Sequence, residues 1–341
     1  MNLTRMEMYV TLVVVAALAM TVGVTSCVWE TWVTPGAHAQ SNNPLRLTFY
    51  YPWFPGHWNE STHYHPTLGN YDSSSPIVIR NHIDAMQYAR IDAAIVSWWG
   101  WRTQGEYKAR YGTDAALREI LKESRGSGFR WAIHYEWEGP VDNIPRNPSR
   151  DEIVSDLDYL YANFANDPSY LHIDGRWVLF VYSDENDGCE MVSRWSEAKT
   201  THPEAYVVLR VFQGYLGCAS QPDGWYQYST ESGSDSQSDY SYTISPGFWS
   251  AIEDHPRLER NLARWKANIG DMISSGATFQ LVSTFNEWGE GTAVESAEEW
   301  ATASGYGAYL DALHSNGYTN GDEWEQPNVR FAGVVQKMWY D

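Results

Sequence analysis

The sequence predicts an α/β architecture, a single (β/α)8 TIM barrel over residues 43–341, on three observations. Apolar, β-rich runs alternate with segments that carry apolar residues at helical spacing. The runs are near-continuous rather than alternating, as in parallel strands buried on both faces. Eight such runs occur, and polar and aromatic residues gather just past their ends, where a barrel of this kind builds its chemistry.

The first strand is expected over 45–51, ending in Pro52-Trp53, and the helix over 74–89 places Ile79, Ile83 and Met86 on one face. The second strand, 91–97, runs into Trp98-Trp99-Gly100, and Thr113-Asp114 reads as the cap of a helix over 115–124. The third, 129–135, ends in Glu136 ahead of a helical 151–164. The fourth, 177–182, ends in Ser183-Asp184 and leads to a helix over 190–200; the fifth covers 205–212. The sixth and seventh are weaker, 224–228 and 240–245. A long helix, 258–274, precedes the eighth strand, 279–285, and 306–313 is helical after it.

Composition narrows the function. A net charge of -20 argues against a nucleic-acid partner, which needs clustered Lys and Arg. The chain holds 18 Trp and 23 Tyr, many in Gly/Pro/Asn-rich segments, and such loops suit stacking on the flat faces of sugar rings. Residues 9–24 form an apolar run, about the length that could span a bilayer, and the chain turns polar again after Trp32. Ala37-His38-Ala39 has the small-x-small form of a signal-peptidase site, so residues 1–39 read as a leader and the protein as extracellular or cell-surface. Val24-Thr25-Ser26-Cys27 also resembles a lipobox, which would put a lipid on Cys27, and an uncleaved anchor is the third option. Membrane attachment is expected only by these routes. Cys189 and Cys218 lie in loop-like surroundings and read as one disulfide of an exported chain. Neither has the close Cys or His partner of a zinc site, and no metal or other cofactor is expected. His57, His63 and His65, without a carboxylate at matching spacing, read as substrate-contact or solvated loop residues.

The most informative segment follows the eighth strand: Asn286-Glu287-Trp288-Gly289-Glu290-Gly291-Thr292. Gly289 and Gly291 oppose a regular helix and favour a loop that aims side chains. Glu287 and Glu290 are a carboxylate pair of the kind that cleaves glycosides, one protonating the leaving oxygen and the other serving the anomeric centre. Candidate substrate-binding residues are Tyr50, Tyr51, Trp53, Trp98, Trp99, Tyr135, Glu136, Asn286 and Trp288, all at strand ends. Asp184 and Glu185 could bind sugar hydroxyls or cap their own loop. Glu295 could support the carboxylate loop or serve structure alone. Glu106, Asp114 and Glu119 read as helix-surface charges.

Several segments together resemble glycoside hydrolase family 99, the endo-α-1,2-mannosidase type. They are Phe49-Tyr50-Tyr51-Pro52-Trp53, His57-Trp58-Asn59, His65-Pro66, the stretch 68–74, the stretch 94–100, His134-Tyr135-Glu136 and the loop 286–292. The resemblance implies a (β/α)8 barrel acting on α-mannosides with retention. It implies Glu290 as acid and then base, and Glu287 as base on the sugar's own 2-hydroxyl, giving a 1,2-anhydro sugar. Tyr51, Trp99, Tyr135 and Glu136 would line the pocket. The family usually carries His where this chain has Gly289, which leaves sugar and linkage open. An α-glucanase on the same scaffold, or a non-catalytic carbohydrate-binding surface protein, are the alternative expectations; the acid pair argues against the second.

Overall fold

The computed structural model describes residues 44–59, 62–101, 112–139 and 146–316. The leader with its cleavage and lipidation sites, Glu106 and the stretch 317–341 lie outside the described residues.

The described residues form ten strands, in chain order β1 Leu45–Tyr50, β2 Ala93–Trp98, β3 Arg130–Tyr135, β4 His172–Ile173, β5 Arg176–Val181, β6 Ala205–Arg210, β7 Gly224–Tyr226, β8 Ser234–Gln237, β9 Ser241–Ile244 and β10 Phe279–Val282. They pair in the order β7-β6-β5-β3-β2-β1-β10-β9-β8, with β4 beside β5. Every pairing from β7 round to β9 is parallel; β8 and β4 add antiparallel. The eight parallel strands make a nearly closed barrel. Between β7 and β9 a side chain bridges the gap, Thr243 Oγ1 donating to the Gln227 carbonyl at 2.5 Å.

Among the described residues six helices pack outside: α1 Pro76–Tyr88, α2 Thr113–Ser124, α3 Arg150–Leu160, α4 Gly188–Lys199, α5 Leu262–Ser274 and α6 Ala308–Ser315. Pro76 opens α1, where its missing N–H is no loss. A capping box between Ser149 and Glu152 starts α3, which continues into a π turn at Tyr161–Ala165. Asn261 caps α5 by accepting from the Arg264 N–H at 2.9 Å. The expected Thr113-Asp114 cap is corrected. Helix α2 starts at Thr113 without a side-chain cap. Thr113 Oγ1 instead accepts the Trp99 N–H, and Asp114 Oδ1 accepts Trp98 Nε1, both at 3.1 Å. Asp114 is thus a tie to the β2 loop, not a surface charge.

Strand parity splits the core into two layers. Leu47, Phe49 and Tyr51 of the first strand and its extension join Ala93, Ile95, Ala132, Val178, Phe180, Val208, Tyr226, Phe279 and Leu281 inside the barrel. Tyr50, Val96, Trp98, Ile133, Tyr135, Leu179 and Leu209 face the other way, into the helix layer with Ile83, Leu117 and Ile153. Successive residues of a strand point to opposite faces, so neighbours in sequence sit in different layers.

Candidate active site

The loop after β10 is shaped by its own backbone and two threonines. Thr284 Oγ1 accepts the Glu287 N–H at 2.9 Å and meets Thr292 Oγ1 at 2.9 Å. Phe285 N–H donates to the Phe49 carbonyl, tying the loop to β1. Gly291 has φ +64, and a Cβ there would stand 2.7 Å from the Trp249 carbonyl oxygen. Glycine is therefore required at this position on two counts.

Both carboxylates of the loop come to the barrel mouth. Glu287 is buried, and its Oε1 accepts the Gly289 N–H at 3.0 Å. Glu290 is half-buried, with Oε2 shut off from solvent and without a hydrogen-bond partner. Burial, then the negative charge of Glu136 and Glu231, push its carboxyl up to about 7, against the pull of Arg210 and Arg257. The Tyr51 and Tyr228 hydroxyls hydrogen-bond to each other at 2.5 Å. Both phenols are raised, by burial first and then by the charges of Glu136, Glu290 and Glu287 among others. Three carboxylates thus act on one hydroxyl pair. Glu136 lies 3.0 Å from His134 Nδ1, whose Nε2 is 2.8 Å from the Tyr226 hydroxyl.

Glu290 opens on a polar cavity of about 480 Å³ lined by Tyr182, Arg210, Gln227, Tyr228, Glu231 and Arg257 among others. Arg210 lies over the Tyr182 ring at 4.5 Å and donates to Gln227 Oε1 at 2.8 Å. Tyr182 in turn presses on Gly139, where a Cβ would come within 2.5 Å of its ring. The Glu136 loop is anchored outward as well. Glu138 is buried, accepts from Arg194 at 2.5 Å and from Trp195 Nε1 at 2.8 Å, and burial pushes it up to about 7. Both partners sit on α4, which the Cys189–Cys218 disulfide ties to the turn at Tyr215–Gly217.

Not every candidate from the sequence reaches this mouth. Tyr50, Trp98 and Tyr135 are corrected: their parity turns them into the helix layer, fully buried, toward His82, Asp114 and Asp156 respectively. Trp288 is also removed from the list, because it is buried behind the loop, stacked on Trp300 and donating to the Tyr71 hydroxyl. Asn286 grips Tyr51, accepting its N–H at 2.8 Å and donating to its carbonyl at 3.0 Å, so it fixes the strand end rather than presenting its amide to the cavity. Tyr51, Trp99 and Glu136 have the inward parity. Trp53 packs on Tyr51 at 4.5 Å and on His57. His63 stacks on Trp249 and His65 bonds Glu299, so the three histidines go to separate neighbours. Asp184 caps its own turn, accepting from Asn186. Glu295 receives the Tyr71 hydroxyl at 2.8 Å, and that hydroxyl accepts from Asn286; it thus supports the loop through one intermediary. The cavity also takes in Arg210, Tyr228 and Glu231, of which only Tyr228 carries a sequence signal, its parity with Tyr226.

Residues 55–255 match the family described as Glycosyl hydrolase family 99, more than half of the chain. The chain belongs to glycosyl hydrolase family 99. Among solved structures, it is similar to a family 99 endo-α-mannosidase from Bacteroides thetaiotaomicron in complex with BIS-TRIS-propane, at 19% identity and a TM-score of 0.63, covering 81% of this chain and 96% of that one. A second structure of the endo-α-mannosidase from that organism matches at 19% identity and TM-score 0.59, covering 80% and 96%. A glycoside hydrolase-like protein matches at 18% identity and TM-score 0.59, covering 80% and 94%. At such identities the likeness speaks for the fold. The (β/α)8 barrel of family 99 is thus the fold of this chain, and a glycan is the substrate of a family 99 glycosidase. The matched stretch includes Trp99, Glu136 and Tyr228 and stops short of Glu287 and Glu290.

Proposed function

We propose that this family 99 glycosidase cleaves α-mannosides with retention, Glu290 acting as general acid and then base, and Glu287 as base on the sugar 2-hydroxyl. The observation that carries the reading is the contrast between the two carboxyls. Glu290 is desolvated, holds a proton up to about pH 7 and opens on the cavity, which suits an acid that gives its proton to a leaving oxygen. Glu287 is oriented by the Gly289 N–H, and its charge acts on the Tyr51 and Tyr228 phenols.

In the first step the Glu290 proton passes to the glycosidic oxygen while Glu287 takes the proton of O2. O2 then attacks the anomeric carbon, the glycosidic bond breaks, and a 1,2-anhydro sugar forms. Water next opens the anhydro ring at the anomeric carbon, giving its proton to Glu290, and Glu287 returns a proton to O2. An O2 trans to the leaving group is needed, and α-mannose supplies one. Tyr51, Trp53, Trp99, Glu136 and Tyr228 would hold the ring being cleaved.

We further infer that the protein is exported through its N-terminal apolar segment, by cleavage after Ala39 or lipidation at Cys27. The Cys189–Cys218 bond supports an oxidising compartment.

The test is a panel of α-mannan, α-glucan and nigeran, with product size and anomeric configuration followed by NMR. Retaining release from α-mannan alone is expected, with a 2-deoxy or 2-fluoro α-mannoside left intact. Normal hydrolysis of the 2-deoxy compound, or a glycosyl ester on Glu287, would overturn the mechanism; cleavage of α-glucan instead would reassign the sugar.

A further inference from the structure

Behind the carboxylate loop sits a cation, Arg260, that forms no ion pair with a carboxylate among the described residues. Arg260 lies with its guanidinium 3.9 Å from the Trp300 ring centroid, 4.6 Å from that of Tyr64 and 4.9 Å from that of Tyr309. Burial lowers it from its usual value, and the groups that act against this are the Tyr309 and Tyr64 phenols rather than an acid. A guanidinium does not lose its charge in such a place, so it needs compensation from ring faces and from strong acceptors. It finds the acceptors in one short segment. Nη2 donates to the Gly291 carbonyl at 2.9 Å and to the Ala293 carbonyl at 2.6 Å. Hydrogen bonds with an ionised donor are shorter and stronger than neutral ones, so these two hold the backbone firmly just past Glu290.

The same segment is gripped from its other end. Trp249 N–H donates to the Glu290 carbonyl at 2.8 Å, and Ala251 N–H to the Gly289 carbonyl at 2.7 Å. Gly247 makes the Arg260 stem fit, since a Cβ there would lie 2.7 Å from Arg260 Cγ. The Glu290 side chain thus leaves a backbone whose carbonyls at 289, 290, 291 and 293 are all engaged, while its own Oε2 is held by nothing. The orientation of that carboxyl depends on the backbone beneath it.

We propose that Arg260 is a positioning residue for glycoside cleavage, which fixes the 289–293 backbone so that the Glu290 carboxyl stands in the cavity in one orientation. The proposal rests on the reading of Glu290 as the acid. Lysine does not reproduce this arrangement: one ammonium nitrogen could serve the two carbonyls as Nη2 does, but it has no planar group to pack against the Trp300, Tyr64 and Tyr309 rings. A displacement of about 1 Å at a reacting group lowers turnover by roughly a hundredfold.

The experiment compares Arg260→Lys and Arg260→Gln with the unmodified protein, on whichever glycan of the panel it cleaves. In parallel, protein carrying ¹³C-carboxyl glutamate is titrated by NMR, the Glu290 signal being identified by its loss in Glu290→Gln. The Lys variant is expected to fold, to lose about a hundredfold in kcat with KM within about threefold, and to titrate Glu290 closer to the ordinary carboxyl range. In Arg260→Ala, added methylguanidinium is expected to restore part of the rate. Unmodified kcat and an unmoved Glu290 titration in the Lys variant would overturn the proposal. So would a rate loss that only tracks the unfolded fraction. Failure of the acid assignment is separately visible as retained turnover in Glu290→Gln, and the NMR arm still decides on Arg260 in that event.

Discussion

Replacing Glu290 by Gln should remove activity and, at neutral to alkaline pH, add stability. The side chain keeps its shape but loses the proton that would reach the leaving oxygen, a contribution of about 10²–10⁴-fold. Stability follows from the environment of the carboxyl. Its value in the folded protein is raised from 4.5 to about 7, chiefly by burial and by Glu136. Below about pH 4.5 the group is protonated in both folded and unfolded chains, and it places no charge in the site. As pH rises from 4.5 toward 7 the unfolded chain releases the proton first, and folding becomes progressively less favourable until the folded group ionises as well. The gap between 4.5 and about 7, at 1.36 kcal/mol per pH unit, comes to about 3 kcal/mol. Gln carries no such penalty. Chemical denaturation of the two proteins should therefore give similar stabilities at pH 4.5, and a Gln variant more stable by about 3 kcal/mol at pH 8. Glu138, also raised to about 7, is common to both proteins and cancels in the difference. An equal difference at both pH values would refute the argument, because a change in packing does not depend on pH.

Asn286→Ala strips partners from both the N–H and the carbonyl of Tyr51; it should lower stability by about 3 kcal/mol in urea titration and weaken substrate binding with it. Gly291→Ala forces a Cβ against the Trp249 carbonyl in a left-handed backbone, so a loss of about 2–3 kcal/mol and of most turnover is expected by calorimetry and rate assay. Cys189→Ser with Cys218→Ser opens a loop of 29 residues, for which chain entropy gives a loss of about 3–4 kcal/mol, read as a lower urea midpoint than the oxidised protein. Tyr228→Phe breaks the hydroxyl pair with Tyr51 and should reduce kcat more than it alters thermal stability.

The barrel was legible in the sequence because its signal is written in runs. All eight parallel strands fall where apolar stretches were read, and the helices between them begin and end within a few residues of expectation. Two strands carry no such signal. Ser234–Gln237 is polar throughout and is a strand by virtue of its antiparallel partner, and His172–Ile173 is two residues beside a tight turn at Asp174-Gly175. The site was legible as a set of strand ends but not as a set of directions. Tyr50 and Tyr51, Trp98 and Trp99, Tyr135 and Glu136 are adjacent pairs, of which one member faces inward. Alternation could have separated them, had the inward face been anchored first on Leu47 and Phe49. Arg210 was hidden at the end of a run read as apolar, and Glu231 in a loop whose position depends on the β8–β9 hairpin.

The gap between β7 and β9 has a consequence for descent as well as for shape. A barrel wall held by a backbone ladder tolerates change only in side chains, since any insertion shifts the register of every bond beyond it. Here the joint is a single threonine hydroxyl on a carbonyl, and the stretch crossing it, Gln227 to Ser232, is also the wall of the cavity beside Glu290. That stretch can lengthen, shorten or change its polarity while the seven paired joints stay in register. The seam is thus where a lineage of such enzymes can acquire a new glycan preference without rebuilding its fold.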